Sequence, residues 1–202
     1  MPPSNREQIL EGTIACIQTR GVAATTTRDI AAAAGASLAS IPYHFGSKDA
    51  LMDEALGRAI RRFAEHLDGQ RYDAELPPLQ ELAAALATTL ASFEDVRPLL
   101  VSVMEAHVRA LHSEDFQPRV AAHRRAAVRR IAERVQALEL GDRGGLADED
   151  ARALAVLVLA IVDGLMLAWL IDAEHTPDGE TIAEALGRAF SPLLAECPAE
   201  PA

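Results

Sequence analysis

Aromatic residues are scarce: five Phe, two Tyr and one Trp make up only 4% of the 202 residues. Half of the chain is nonetheless apolar, so Ala and Leu carry the core. Cysteine is almost missing as well. Cys16 and Cys197 stand far apart, and Cys197 lies in a proline-rich tail. No disulfide framework is expected, which fits a reducing compartment. Nothing near Cys16 points to a lowered thiol pKa, so its expected role is packing. No stretch alternates Val, Ile and Thr over a strand length, which leaves helices as the building material.

The longest apolar run, Ala153 to Val162, is interrupted by Asp163 and Gly164 before Leu165 to Ile171. That is too short and too broken for a membrane span, and no membrane partner is expected. The opening MPPSNREQ has no apolar core of the kind a secretion signal needs, so a cytoplasmic location is expected. Chemistry-bearing motifs are missing too. There is no nucleophile elbow, phosphate loop, dinucleotide fingerprint, H-E-x-x-H or C-x-x-C. No catalytic residue, cofactor or metal is therefore expected. Glu105, His107 and His112 come nearest to a metal cluster, but the five-residue spacing of the two histidines turns them apart on a helix.

Charge is unevenly spread. The net is −11 for the whole chain. Residues 1–62 hold seven Lys and Arg against six Asp and Glu, a net of +1, while residues 63–202 hold twelve against 24, a net of −12. An acidic body repels a duplex, so any nucleic acid has to meet the near-neutral head. The basic run Arg124, Arg125, Arg129, Arg130 and Arg134 is a solvated helix face on this reading, with i,i+4 spacings and Glu133 to neutralise it.

Composition and periodicity predict an all-α fold of about nine helices. The first runs from Arg6 to Arg20, with Ile9, Leu10, Ile14 and Ile17 on one face. Two short helices follow. A longer one from Ser47 to about Leu67 presents Leu51, Ala55, Ala59 and Phe63 at i+4 steps. Further helices are expected from Pro78 to about Phe93, Pro98 to about Leu111, Phe116 to Leu140, bent at Pro118 if that residue falls inside it, Asp148 to about Glu174, and Glu180 to Ala195. The last of these turns Ile182, Leu186, Ala189, Phe190 and Leu193 inward.

Thr25 to Lys48 is the most informative stretch. Thr26 or Thr27 can cap a short alanine-rich helix, and Gly35 stops it. Ser37 can cap a second helix that carries Leu38 to Phe45, with Leu38 or Ile41 and Phe45 as anchors. Gly46 ends it and Ser47 caps the next. This is helix-turn-helix spacing, with small or polar residues free to enter a major groove. Pro42 removes one amide and favours a helix start close upstream. Lys48 falls in the first turn of a helix, where a cation is unfavourable unless an anion such as a DNA phosphate joins it.

From Arg6 to Leu56, and above all in GVAATTTRDIA and AGASLASIPYHFGSKDAL, the chain resembles the tetracycline-repressor (TetR) family. The resemblance implies a helix-turn-helix DNA-binding domain at 1–50 and a helical ligand-binding and dimerisation domain at 51–202. It also implies a homodimer through the last two helices, Ala151–Ile171 with Glu180–Leu194, and a repressor released from its double-stranded operator by a small-molecule effector. Thr27, Tyr43, His44 and Lys48 would then grip the DNA backbone. Arg28 would reach a base edge, and Ser37, Leu38, Ala39 and Pro42 would line the groove. Phe93, Met104, His107, Met166 and Trp169 are the candidate pocket residues, chosen as adaptable or mixed-polarity side chains in mid-helix. Two alternative readings stand beside this one. One is a helical small-molecule-binding or interaction module without sequence-specific DNA binding. The other is an all-α enzyme, which has no catalytic constellation to support it.

Overall fold

The structure is a computed structural model that describes residues 3–69, 78–137, 146–185 and 188. Its elements are all helical: α1 (Asn5–Ala24), α2 (Thr27–Ala34), α3 (Ser40–Phe45), α4 (Lys48–Asp68), α5 (Pro78–Ala91), α6 (Arg97–Ala110), α7 (Gln117–Ala137) and α8 (Asp148–Ile171). A further helical stretch opens at residue 179. The all-α expectation holds. Gly21, with φ 75°, interrupts α1 where the first helix was expected to end. Pro118 lies in the first turn of α7, where its missing amide has no helical partner to lose, so it starts the helix instead of bending it. The expected loop at 141–145 and most of the inward face of the last helix lie outside the described residues.

The chain divides into two compact units. One takes Met1–Asp68 and Val96–Ala127, and the other takes Gly69–Asp95 and Val128–Ala202. In the first unit, Ile9, Leu10, Ile14 and Ile17 of α1 meet Ile30, Ile41, Leu51, Met52, Ala55 and Leu56 in one buried cluster. Ala106, Ala110, Phe116 and Val120 complete it. The predicted inner faces of α1 and α4 are therefore the buried ones. Cys16 belongs to this cluster, and burial pushes its thiol pKa up, as a packing role requires.

A polar seam joins α1 to α4. Glu11 accepts from Arg62 at 2.5 Å and from Arg58 at 3.2 Å, and Glu7 pairs with Arg58 as well. The hydrogen bond from Arg62 is the main reason the Glu11 carboxyl is held below the ordinary glutamate range. A depressed folded-state pKa adds stability that is complete above the unfolded value, about 4.3, and is lost as pH falls through the folded one. Urea unfolding should therefore show stability falling below about pH 5, with Glu11→Gln removing part of that fall. An acid limb unchanged in Glu11→Gln would remove this seam from the acid response.

In the second unit, Ala132, Val135, Ala151 and Ala155 form one buried cluster. Phe93 and Met166 are fully buried. Phe93 meets Trp169 edge-on, with ring centroids 5.8 Å apart. Gly179 sits hard against α5. A Cβ on it would lie 2.3 Å from the Ala87 Cα and 2.7 Å from the Ala87 carbonyl oxygen. Backbone cannot yield as a flexible side chain does, so Gly179→Ala should destabilise by about 1–3 kcal/mol. For a chain of this length that lowers the melting temperature by roughly 2–12 °C. A melting temperature equal to the parent's would mean that 179 and 87 do not touch.

Candidate nucleic-acid interface

The site is built from local rules first. Thr26 caps α2: its hydroxyl accepts from the Asp29 amide at 3.2 Å, while the Thr26 amide donates to Asp29 Oδ2 at 2.9 Å. This reciprocal box satisfies two otherwise free donors. Of the two threonines that could cap, the structure uses Thr26, and Thr27 becomes the half-exposed first residue of the helix. The Thr26 hydroxyl is also the leading cause of the lowered Asp29 pKa. Arg20 adds an ion pair to Asp29 at 2.7 Å. Asp29 is thus occupied, and Arg28 is exposed with no ion-pair partner among the described residues. α2 ends at Gly35, whose φ of 60° is a left-handed conformation that glycine enters without a Cβ penalty.

α3 is shorter than its expected span. It starts at Ser40, and Ala39 at its N-cap offers no side-chain hydrogen bond. Ser37 does not cap an amide; its hydroxyl lies 2.8 Å from that of Ser40. Pro42 supplies the physical reason. A proline lacks the amide and its ring crowds the carbonyl four residues back, so it is accommodated only in a first turn. Starting at Ser40 puts Pro42 there. Of the two alternative anchors, Ile41 is the buried one at 1% exposure, while Leu38 is 50% exposed. Phe45 packs partly buried against the same core.

The opposite face of this corner is open. Ser37, Leu38, Ala39 and Pro42 are exposed, and Tyr43 is 83% exposed. The rings of Tyr43 and His44 meet edge-on at 4.9 Å, and His44 is half-buried. Ser47 caps α4 by accepting from the Ala50 amide at 3.0 Å. Lys48, the only lysine in the chain, is the first residue of that helix and is half-buried. The result is a helix start with Lys48 next to Asp49, an outward tyrosine one turn before it, and at the start of α2 an exposed arginine with no ion-pair partner among the described residues. Such a surface suits an anion with a repeating backbone.

One contributor was not legible in the sequence. The Arg6 guanidinium lies over the Phe45 ring, 4.7 Å from its centroid, and donates to Glu54 at 2.6 Å. Its two partners are 39 and 48 residues away, beyond the reach of any periodicity.

The pocket candidates are divided between the units. Phe93, Met166 and Trp169 belong to the second, where an open cleft of about 600 Å³ is lined by Thr88, Leu90, Glu94 and Trp169 among others. Met104 and His107 sit half-buried on α6 in the first unit, with the His107 ring 3.5 Å from an Arg124 nitrogen. Glu105 instead accepts from the Val22 amide at 3.2 Å, just after the break in α1. Among the described residues, no three His, Cys, Asp or Glu side chains are placed to hold a metal.

The family model described as bacterial regulatory proteins, tetR family, matches residues 9–55. That of the BetI-type transcriptional repressor, C-terminal, matches residues 78–194. The transcriptional regulator BetI 2 of Chromohalobacter salexigens is 25% identical over 92% of this chain and 84% of its own length. The transcriptional regulator SCO7518 of Streptomyces coelicolor A3(2) is 26% identical over 92% of this chain and 98% of its own, with a TM-score of 0.67. The multidrug binding protein EbrR, solved as a complex with imidazole, is 27% identical over 92% of this chain and 89% of its own, with a TM-score of 0.64. With the helix-turn-helix head and the C-terminal region both matched, the chain belongs to the tetR family of bacterial regulatory proteins and is a DNA-binding transcriptional regulator, not an enzyme.

Proposed function

We propose that this protein is a cytoplasmic repressor that binds a pseudo-palindromic operator as a homodimer and leaves it when a small molecule enters the helical body. The observation that carries the DNA half is the outward corner itself. Tyr43 is 83% exposed next to a capped helix that opens with the only lysine. Thr27, Tyr43, His44 and Lys48 hold phosphates and fix register. Arg28 suits a bidentate contact to guanine, and Ser37, Leu38, Ala39 and Pro42 offer methyl contact and shape to the groove. Residues 1–50 serve as the DNA-binding domain, and 51–202 as the ligand-binding and dimerisation domain.

The dimer half rests on α8. Ala153, Val156, Leu157, Ala160, Gly164, Leu167, Ala168 and Ile171 are all exposed and fall on one face at 100° per residue. Ala151, Ala155 and Met166 are buried on the other face. By length and composition α8 could also cross a membrane. Its small residues and the Asp163 in its midst fit a second helix better than lipid, and Glu180–Leu194 of the last helix would flank it. For the effector, the candidates in the second unit are Trp169, which lines the 600 Å³ cleft, and the fully buried Phe93 and Met166, with Met104 and His107 as those on α6. EbrR, which binds imidazole, supports a body open to small ligands. A ligand shifts the equilibrium only by its differential affinity for the released state.

Selection from a random duplex pool tests this reading. The expected product is an inverted repeat with half-site centres about one or two helical turns apart, roughly 34–36 Å per turn. Recovery of no common sequence would reject an operator-specific repressor. A metabolite screen by thermal shift on the same protein would find the effector as a compound that raises the melting temperature.

A further inference from the structure

We infer that Arg6 is a positioning residue for the DNA-reading helix: it covers Phe45 and ties it to Glu54, and so sets the angle at which Tyr43 and His44 meet the duplex. The inference rests on the DNA-binding role of this corner. α3 has only six residues, no side-chain cap and a proline in its first turn. A helix that short does not hold itself together in water. Its fully buried contact is Ile41, near the start, and the second anchor is Phe45, one turn later at the end. With Ile41 alone the helix could pivot, so its direction depends on Phe45.

Phe45 is half-buried, and Arg6 supplies part of its cover. The guanidinium carbon lies 4.7 Å from the ring centroid. Its position is itself held, because Arg6 Nη2 donates to Glu54 Oε2 at 2.6 Å. Glu54 stands on α4, the helix that opens with Lys48. One side chain therefore links the start of α1, the end of α3 and the second turn of α4. These are the three places whose relative placement decides whether Tyr43 and Lys48 can touch phosphates together. A planar, delocalised cation suits this role, since it can stack on a ring and donate sideways at once.

The competing role for Arg6 is a direct phosphate contact. The two differ in salt dependence. A phosphate contact releases counterions, whereas a positioning residue changes affinity by the same factor at every salt concentration. The test uses the full-length protein and a duplex recovered from the random pool. Arg6→Ala should weaken binding by about four- to 25-fold if each of two heads loses roughly two- to fivefold, with the slope of log K against log salt unchanged. Arg6→Lys, which keeps the charge, should recover only part of that loss. In a Phe45→Leu background, which keeps an apolar anchor without the ring, Arg6→Ala should have less than about a twofold effect, because the coupled partner is already gone.

A slope reduced by about 0.9 per head would make Arg6 a phosphate contact and overturn the inference. Full rescue by Arg6→Lys, or the same loss with and without the Phe45 ring, would overturn it as well, and so would unchanged affinity in Arg6→Ala. Failure of the native protein to bind any duplex would instead reject the reading beneath it, and this inference with it.

Discussion

Tyr43→Ala combined with Lys48→Ala should abolish tight operator binding and flatten its salt dependence while leaving the fold intact. Tyr43 points outward at 83% exposure and Lys48 opens α4, so neither fills the core. What their loss removes is contact with an anion. A charge-assisted hydrogen bond contributes about 1.5–3 kcal/mol. Two lysines on the proposed two-headed dimer then account for roughly 3–6 kcal/mol, or about 150- to 20,000-fold in Kd. Each lost ammonium–phosphate contact also takes about 0.9 from the slope of log K against log salt. Circular dichroism should match the native protein. Because Lys48 is the only lysine, an amine-acylating reagent marks this position and the α-amine, and bound duplex should shield it. If the double variant kept the native slope, the backbone grip would lie elsewhere.

Leu157→Glu combined with Leu167→Glu should split the proposed homodimer and silence the protein at its operator. Both leucines lie on the exposed face of α8, at 55% and 49% exposure. They carry little of the single chain's own packing. Full burial of a leucine contributes about 1.5–3 kcal/mol, so four half-exposed leucines across two copies contribute roughly 3–6 kcal/mol. Four carboxylates placed in the same seam add a desolvation cost. Sedimentation should move to the 21.6 kDa of one chain. Operator affinity should fall with it, since a lone head binds one half-site without the effective concentration that its twin provides. A native protein that already sediments as one chain, or a double variant of unchanged larger size, would reject the α8 seam.

Much of this was legible because the head is governed by short-range rules. Thr26 with Asp29 is a capping box three residues long. Gly35 stops a helix by its own backbone freedom. Residues proposed to meet DNA have to stay outside, so Tyr43 and Lys48 need no distant partner to be picked out. Even the shortness of α3 follows from Pro42 alone. The body was less legible. Phe93, Met104, His107, Met166 and Trp169 were grouped by side-chain type, and the structure assigns Met104 and His107 to one unit and the other three to the second.

The amino-acid order by itself determined the all-α class, the helix-turn-helix spacing, the inward faces of α1 and α4, and the outward position of Tyr43. Each depends on contacts within about one or two turns of the chain, where spacing dictates geometry. Tertiary structure alone decided that Ile41 and not Leu38 anchors α3, that Glu105 reaches the Val22 amide 83 residues away, and that Arg6 lies over Phe45. It also left one face of α8 bare. Periodicity orients a side chain about its own helix axis, but which neighbour covers that side chain depends on how distant segments pack, and no local pattern encodes that.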